Sequence, residues 1–558
     1  MPNRPRTRPW VLIAAVIAVL GIVLAACGGG SDSGDGGSGG GDTGTDITIA
    51  ASGPPQTGGT LNYAVEGESD GFNPTTNRWA ISGLMVANAV FDPLAAYDAN
   101  GKAQPYLAKA FTPSADFKTW TIEMRPGITF TNGQALDGTA VKKAIDGIRS
   151  SALVGGATAN INATQVDPAD PMKVIVTMTD PWASFPASLT AQAGMVPAPA
   201  QLDATGDAAS RQPIGTGPFM QKEWVPDNRW VGTKNPNYWR KDSSGVQLPY
   251  LDSVVFKPVV DTQNRANALI SGDVQMMHTT DWSSIDQLRS AAASGTLQLV
   301  LDPTESEETF FILNTSKAPL DDVRVRQALA LCTDTSQIRI VSQVPDSYAA
   351  TSQFKENSPW YSDGGFPAYD PAAGTALIDQ VKAEKGDVTI SLGTTPVPTN
   401  TVITQAAAQQ WEQCGVKVNL VVTQQSKFIL DMATGNYEAN LSRQFGESDP
   451  DQSYVWWTGT NATGALALNF ARLNDPQVNA ALDKARASDD PAVRKQAYAD
   501  LVKRQSELVP YIWINHTQWA IAAANNVRNV TNVSLPDGQA ALPFQSGTER
   551  LTETWLDK

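Results

Sequence analysis

Pro213-Ile214-Gly215-Thr216-Gly217-Pro218-Phe219 is the stretch that decides how this chain is read. Two glycines permit positive φ and the second proline fixes the exit, so the segment predicts a tight structural turn near a domain crossover. It lacks a Gly-Lys-Ser/Thr ending, so it is not a phosphate cradle. Downstream lie Asn235-Pro236-Asn237-Tyr238-Trp239 and Pro249-Tyr250-Leu251-Asp252-Ser253-Val254-Val255-Phe256. Farther on comes Leu313-Asn314-Thr315-Ser316-Lys317-Ala318-Pro319-Leu320-Asp321-Asp322-Val323-Arg324-Val325-Arg326-Gln327-Ala328-Leu329. In this last run a β-branched and aromatic strand over 309–313 leads to an acidic helix start with basic residues in its first turns. Upstream are Phe91-Asp92-Pro93-Leu94, Pro105-Tyr106-Leu107-Ala108 and Arg125-Pro126-Gly127-Ile128-Thr129-Phe130.

Periodicity fills in the rest. Alternation predicts strands at 60–65, 120–124, 174–178, 253–259, 297–301, 388–392 and 416–422. Helices are predicted over 79–91, 137–149, 261–271, 283–293, 321–331, 400–413, 476–486 and 491–507. Asp475-Pro476 and Asp490-Pro491 supply an N-cap followed by a first-turn proline. Strands interleaved with helices of this length predict an α/β chain, and no solenoid repeat is present.

The chain opens with an export signal. Arg4, Arg6 and Arg8 precede an apolar run from Trp10 to Ala26 that ends in Leu24-Ala25-Ala26-Cys27. This ending resembles the lipobox of bacterial lipoproteins, which implies a signal peptide over 1–26 and lipid on the thiol of Cys27. An uncleaved anchor is the other reading, because about 17 apolar residues just span a bilayer. Either way the rest of the chain lies outside the cytoplasm. Residues 27–57, rich in Gly, Ser, Asp and Thr, read as a tether.

The net charge of −15 and the absence of a Lys/Arg cluster beyond the signal exclude nucleic acid as a partner. Fifteen tryptophans supply both core and surfaces that bury organic ligands. Beyond Cys27 there are only Cys332 and Cys414. An oxidising compartment favours a disulfide between them; two buried free thiols are the alternative.

Taken in order and spacing, the quoted motifs resemble those of the extracytoplasmic solute-binding proteins of ABC importers, specifically the large peptide/nickel-binding type (family 5). The resemblance covers about Gly58 to the C-terminus. It implies a two-lobed α/β clamp with two crossover strands and an inserted N-terminal subdomain. Lobe I would take 58–95, 214–305 and 515–558, the insertion 96–213 and the C-terminal lobe 306–514. It also implies a monomer, lipid-anchored on the outer face of the cytoplasmic membrane, that needs no cofactor. Such a protein captures peptides or peptide-like solutes and delivers them to a separate permease and ATPase. An oligosaccharide, an opine-like compound or a nickel or other metal chelate are the alternative cargoes.

Peptide-binding members of that family carry an amine-pairing aspartate a few residues before a proline. Counted back from Pro450, its position falls on Gly446, with Glu447 next to it. Either Glu447 takes the ammonium with a one-residue shift, or no free amine is read. Around it, Phe445, Asp449, Tyr454, Trp456 and Trp457 are candidate cleft residues, although one of the adjacent tryptophans belongs to the core. From lobe I the candidates are Asn73, Trp79, His278, Thr279 and Trp282, all near the ends of strands.

The rival class is a secreted serine hydrolase. Gly67-Glu68-Ser69-Asp70-Gly71 matches a nucleophile elbow, but Phe72-Asn73-Pro74 follows where a helix is required. His278 and His516 are the only histidines, and neither metal-ligand spacings nor a calcium loop occur. The sequence therefore predicts no enzyme and no metal site.

Overall fold

The computed structural model describes residues 53–151, 153–302, 307–444, 446, 448–543 and 545–558. The signal peptide, Cys27, most of the tether, Phe445 and Glu447 lie outside the described residues.

Aspartates start many of the helices. Asp137, Asp261, Asp281, Asp322, Asp334, Asp370, Asp475 and Asp490 each accept a backbone N–H of the first turn, which satisfies donors that otherwise have no partner. Pro371–Lys385 is a helix that periodicity did not reveal. Its ends were nevertheless marked by Asp370-Pro371, by Lys382 and Lys385 in the last turn, and by Gly386 at φ +86°.

The helices pack on three main sheets. The largest has seven strands in the order Leu297–Leu301, Ala520–Ala524, Met276–Thr279, Thr60–Val65, Ser253–Pro258, Arg229–Lys234 and Phe219–Val225. A five-stranded sheet runs Lys417–Val422, Thr389–Thr394, Ala439–Gln444, Glu307–Leu313 and Tyr511–Thr517. A four-stranded antiparallel sheet, Ala108–Pro113, Thr119–Met124, Asp170–Met178 and Ile161–Asp167, stands between the chain's first and second visits to the seven-stranded sheet. The chain passes between the two larger sheets twice. Leu297–Leu301 is followed in sequence by Glu307–Leu313, and Tyr511–Thr517 by Ala520–Ala524. Two connections of this kind join the two lobes of a clamp.

The conspicuous sequence motifs meet at one buried carboxylate. Asp92 accepts hydrogen bonds from Thr216 Oγ1 (3.0 Å), Tyr238 OH (3.1 Å) and Trp239 Nε1 (2.9 Å). Asn235 Nδ2 in turn donates to Gly217 O at 3.0 Å. Burial raises the Asp92 pKa, and the Trp239 and Thr216 hydrogen bonds and the charges of Arg550 and Arg240 pull it back. Segments from three places in the sequence are thereby fixed to one point. The turn expected at Gly215 and Gly217 needs a correction, because neither glycine has positive φ. They are required by close approach: a Cβ on Gly215 would stand 2.1 Å from Val90 O, and one on Gly217 would stand 2.5 Å from the same atom.

Cys332 and Cys414 form a disulfide with Cα atoms 6.4 Å apart. Each follows the last residue of a helix, Val323–Leu331 and Pro398–Gln413, and both lie in the core against the five-stranded sheet.

Candidate functional site

A cavity of about 230 Å³ is walled by residues from the neighbourhood of all three sheets. Trp79, the helix Ile81–Val90 and residues 541–543, 545, 546 and 548–550 near the C-terminus come from the seven-stranded side. Trp182, Ser188, Thr190 and Gln192 come from the region of the four-stranded sheet. Asp451, Gln452, Trp456 and Arg486 come from the C-terminal lobe.

The contacts around the cavity cross between lobes. Buried Asp451 Oδ2 accepts from Trp182 Nε1 (2.6 Å) and Ser184 Oγ (2.8 Å), while its Oδ1 accepts from Arg486 Nε at 2.8 Å. The Arg486 guanidinium lies 4.5 Å from the Trp182 ring centroid and 3.4 Å from that of Tyr454. Gln452 Nε2 donates to Tyr97 OH, Ala187 O and Thr190 Oγ1. Arg78 stands 4.5 Å over the Trp456 ring. Arg443 reaches Thr280 Oγ1 at 3.2 Å, and Ser546 Oγ donates to Gly446 O at 3.1 Å. Side chains of the two lobes therefore meet around the cavity.

Two ionisable groups on the wall have shifted pKa values. Packing around Arg78 lowers it to about 10 although the side chain keeps solvent access, so it stays charged at neutral pH. Burial pushes Glu549 up to about 7, opposed by the Thr531 N–H that its Oε2 accepts at 3.0 Å and by Tyr63.

Among the residues singled out from sequence, Trp79 and Trp456 line the cavity. Trp79 donates Nε1–H to Gly71 O at 2.8 Å and stacks on Phe91. Trp457 is the core member of its pair. The others face internal partners. Asp449 is paired with Arg494, and Tyr454 OH donates to Asp483 Oδ1 at 2.7 Å beside the cavity. Asn73 is buried and braces its own turn by accepting from Thr75 N and Oγ1. His278 is fully buried: its Nε2 accepts the Glu66 N–H at 3.2 Å, leaving Nδ1–H to donate to Gly547 O at 2.9 Å. Burial lowers its pKa. Thr279 is buried with Oγ1 accepting the Asp281 N–H, and Trp282 packs against Tyr348. The hydroxyl of Ser69 donates to Gly71 O, and both His278 nitrogens are engaged with backbone groups. The described geometry therefore contains no serine–histidine pair. Among the described residues no cluster of three metal-ligating side chains occurs, and no helix is long and apolar enough to cross a membrane.

Arg78, Trp182, Gln452, Arg486, Glu549 and Arg550 reach the cavity without having been singled out from sequence. They are ordinary residues spread over most of the chain, and only the fold gathers them.

Two connections between lobes and a cavity closed by both define a two-lobed α/β solute-binding protein. The sequence pattern of the bacterial extracellular solute-binding proteins, family 5 (middle region), matches residues 102–466, and the chain belongs to that family, which serves ABC importers together with permease and ATPase subunits. It is 25% identical over 459 residues to a glutathione-binding protein, GsiB, of Salmonella paratyphi A, covering 76% of this chain and 84% of that one. The fold is similar to that of AgaA from A. tumefaciens R10 in complex with agropinic acid, with a TM-score of 0.78, 24% identity and coverage of 90% and 99%. It is also similar to DppA from Helicobacter pylori in complex with the peptide STSA, with a TM-score of 0.76, 19% identity and coverage of 90% and 99%.

Proposed function

We propose that the protein is a monomeric receptor, lipid-anchored at Cys27 outside the cytoplasmic membrane, which captures short peptides or peptide-like solutes and passes them unchanged to its permease. In this reading lobe I comprises 58–95, 214–305 and 515–558, the insertion 96–213 and the C-terminal lobe 306–514. The observation that carries the reading is the cavity of about 230 Å³ enclosed by both lobes and lined by tryptophans and charged groups. A solute held there touches both lobes at once, so its binding energy favours closure. The volume lies below the roughly 300–1,000 Å³ usual for small-molecule sites, which favours a compact solute over a long peptide. Relatives that bind glutathione and a short peptide support the same choice of cargo.

Native mass spectrometry of the full chain, purified without denaturation and mixed with a library of di- and tripeptides, tests this. The expected result is a one-to-one complex with a defined subset that leaves with its mass unchanged. Absence of any complex, or appearance of a product mass, would overturn the reading.

A further inference from the structure

The cavity wall carries more positive charge than its own carboxylates neutralise. Arg486 is compensated by Asp451, which it meets at 2.8 Å. Arg78 is not compensated: it donates one N–H to Leu153 O at 3.1 Å, rests on Trp456, and makes no ion pair among the described residues. Arg550 makes neither a hydrogen bond nor an ion pair among the described residues, and its guanidinium stands 4.8 Å over the Tyr106 ring. The field of Asp92 reaches Arg550, but the two form no ion pair within 4 Å, and Asp92 is not among the residues that line the cavity. Glu549 is the remaining carboxylate on the described wall. With a pKa near 7 it cancels at most one of the two free charges.

This surplus stands in a chain whose net charge is −15, so it is not a general property of the surface. In this structure Arg78 stays exposed at the cavity mouth and Arg550 is half-buried, so an arriving anion meets positive charge that no ion pair on the described wall neutralises. The planar guanidinium fork matches a carboxylate through two parallel N–H···O bonds. The aromatic faces beneath Arg78 and Arg550 reduce the freedom of each fork and leave its N–H edges available.

We infer that the captured solute is a small organic acid of net negative charge that bears at least two carboxylates, one read by Arg78 and one by Arg550. This rests on the cavity being the solute site. It makes Arg78 and Arg550 specificity-determining residues and assigns neutral and cationic peptides to the rejected class.

Isothermal titration with the full chain tests it, using triglycine, Lys-Gly-Lys, Glu-Gly-Glu and glutathione as probes at low and high salt. The expected result is binding of at least one of the two acidic probes, at least tenfold tighter than triglycine or Lys-Gly-Lys. Arg78→Gln and Arg550→Gln should each weaken that binding at least tenfold, with Arg550→Lys falling between. Arg78 is exposed in the cavity mouth, so its replacement leaves the core intact and the thermal midpoint of that variant should match the parent. Equal binding of neutral, cationic and acidic probes, or unchanged affinity in both Gln variants, would overturn the inference while leaving solute capture standing. No binding by any probe, together with no complex in the peptide library, would overturn both.

Discussion

The two walls of the cavity treat charge in opposite ways. On the C-terminal lobe the charges are matched internally: Asp451 with Arg486, and Asp449 with Arg494. On the wall belonging to the seven-stranded sheet, Arg78 and Arg550 have no carboxylate partner and Glu549 has no cation partner among the described residues. One wall is complete without a ligand and the other is not. The two cross-lobe hydrogen bonds that end on a carboxylate, from Trp182 and Ser184, end on the matched wall at Asp451. The difference teaches a division of labour in which the matched wall latches the closed clamp and the unmatched wall reads the solute.

The comparison breaks most sharply at Asp451. Asp451→Ala removes the acceptor of two donors from across the cleft, a loss of about 1–3 kcal/mol specific to the closed form, whereas the loss of Arg486's partner is felt in both forms. Because the open form does not make these two hydrogen bonds, the population moves toward it. Solute affinity should then fall roughly tenfold to a hundredfold, with the far-ultraviolet circular dichroism unchanged. Parental affinity in this variant would remove the latch from the account.

Glu549 gives the next largest effect, on stability rather than affinity. Its carboxyl lies near 7 in the fold against an ordinary value near 4.5, because burial disfavours the charged form. Below pH 4.5 the group is protonated in both states and contributes no penalty. As pH rises through 7, the folded protein loses stability relative to the unfolded chain, up to about 3 kcal/mol. Glu549→Gln should therefore match the parent in urea midpoint near pH 4.5 and exceed it at pH 8. A difference between the two that is flat with pH would contradict the burial assigned to this side chain.

Much of the architecture could be read from the sequence because its signals are local. Asp-Pro helix starts, alternating strands such as Thr119–Met124 and the motifs that converge on Asp92 each announce themselves within a few residues. The strand Tyr511–Thr517 did not, because all its residues are buried and no alternation remains. Site residues were harder. Trp79 and Trp456 stood out by type, whereas His278 and Asn73 stood out by type and turned out to serve backbone turns and close packing. Arg78 and Arg550 lie 472 positions apart in sequence, and nothing in either neighbourhood shows that one lacks a partner. That property belongs to the assembled wall.

Small-angle scattering of the full chain, with and without a saturating acidic tripeptide shown to bind, tests the division of labour most directly. The account predicts that the radius of gyration falls on adding the acid to the parent protein and does not fall in Asp451→Ala at the same concentration. A parent protein whose curve is unchanged by a bound acid, or a variant that closes as fully as the parent, would contradict it.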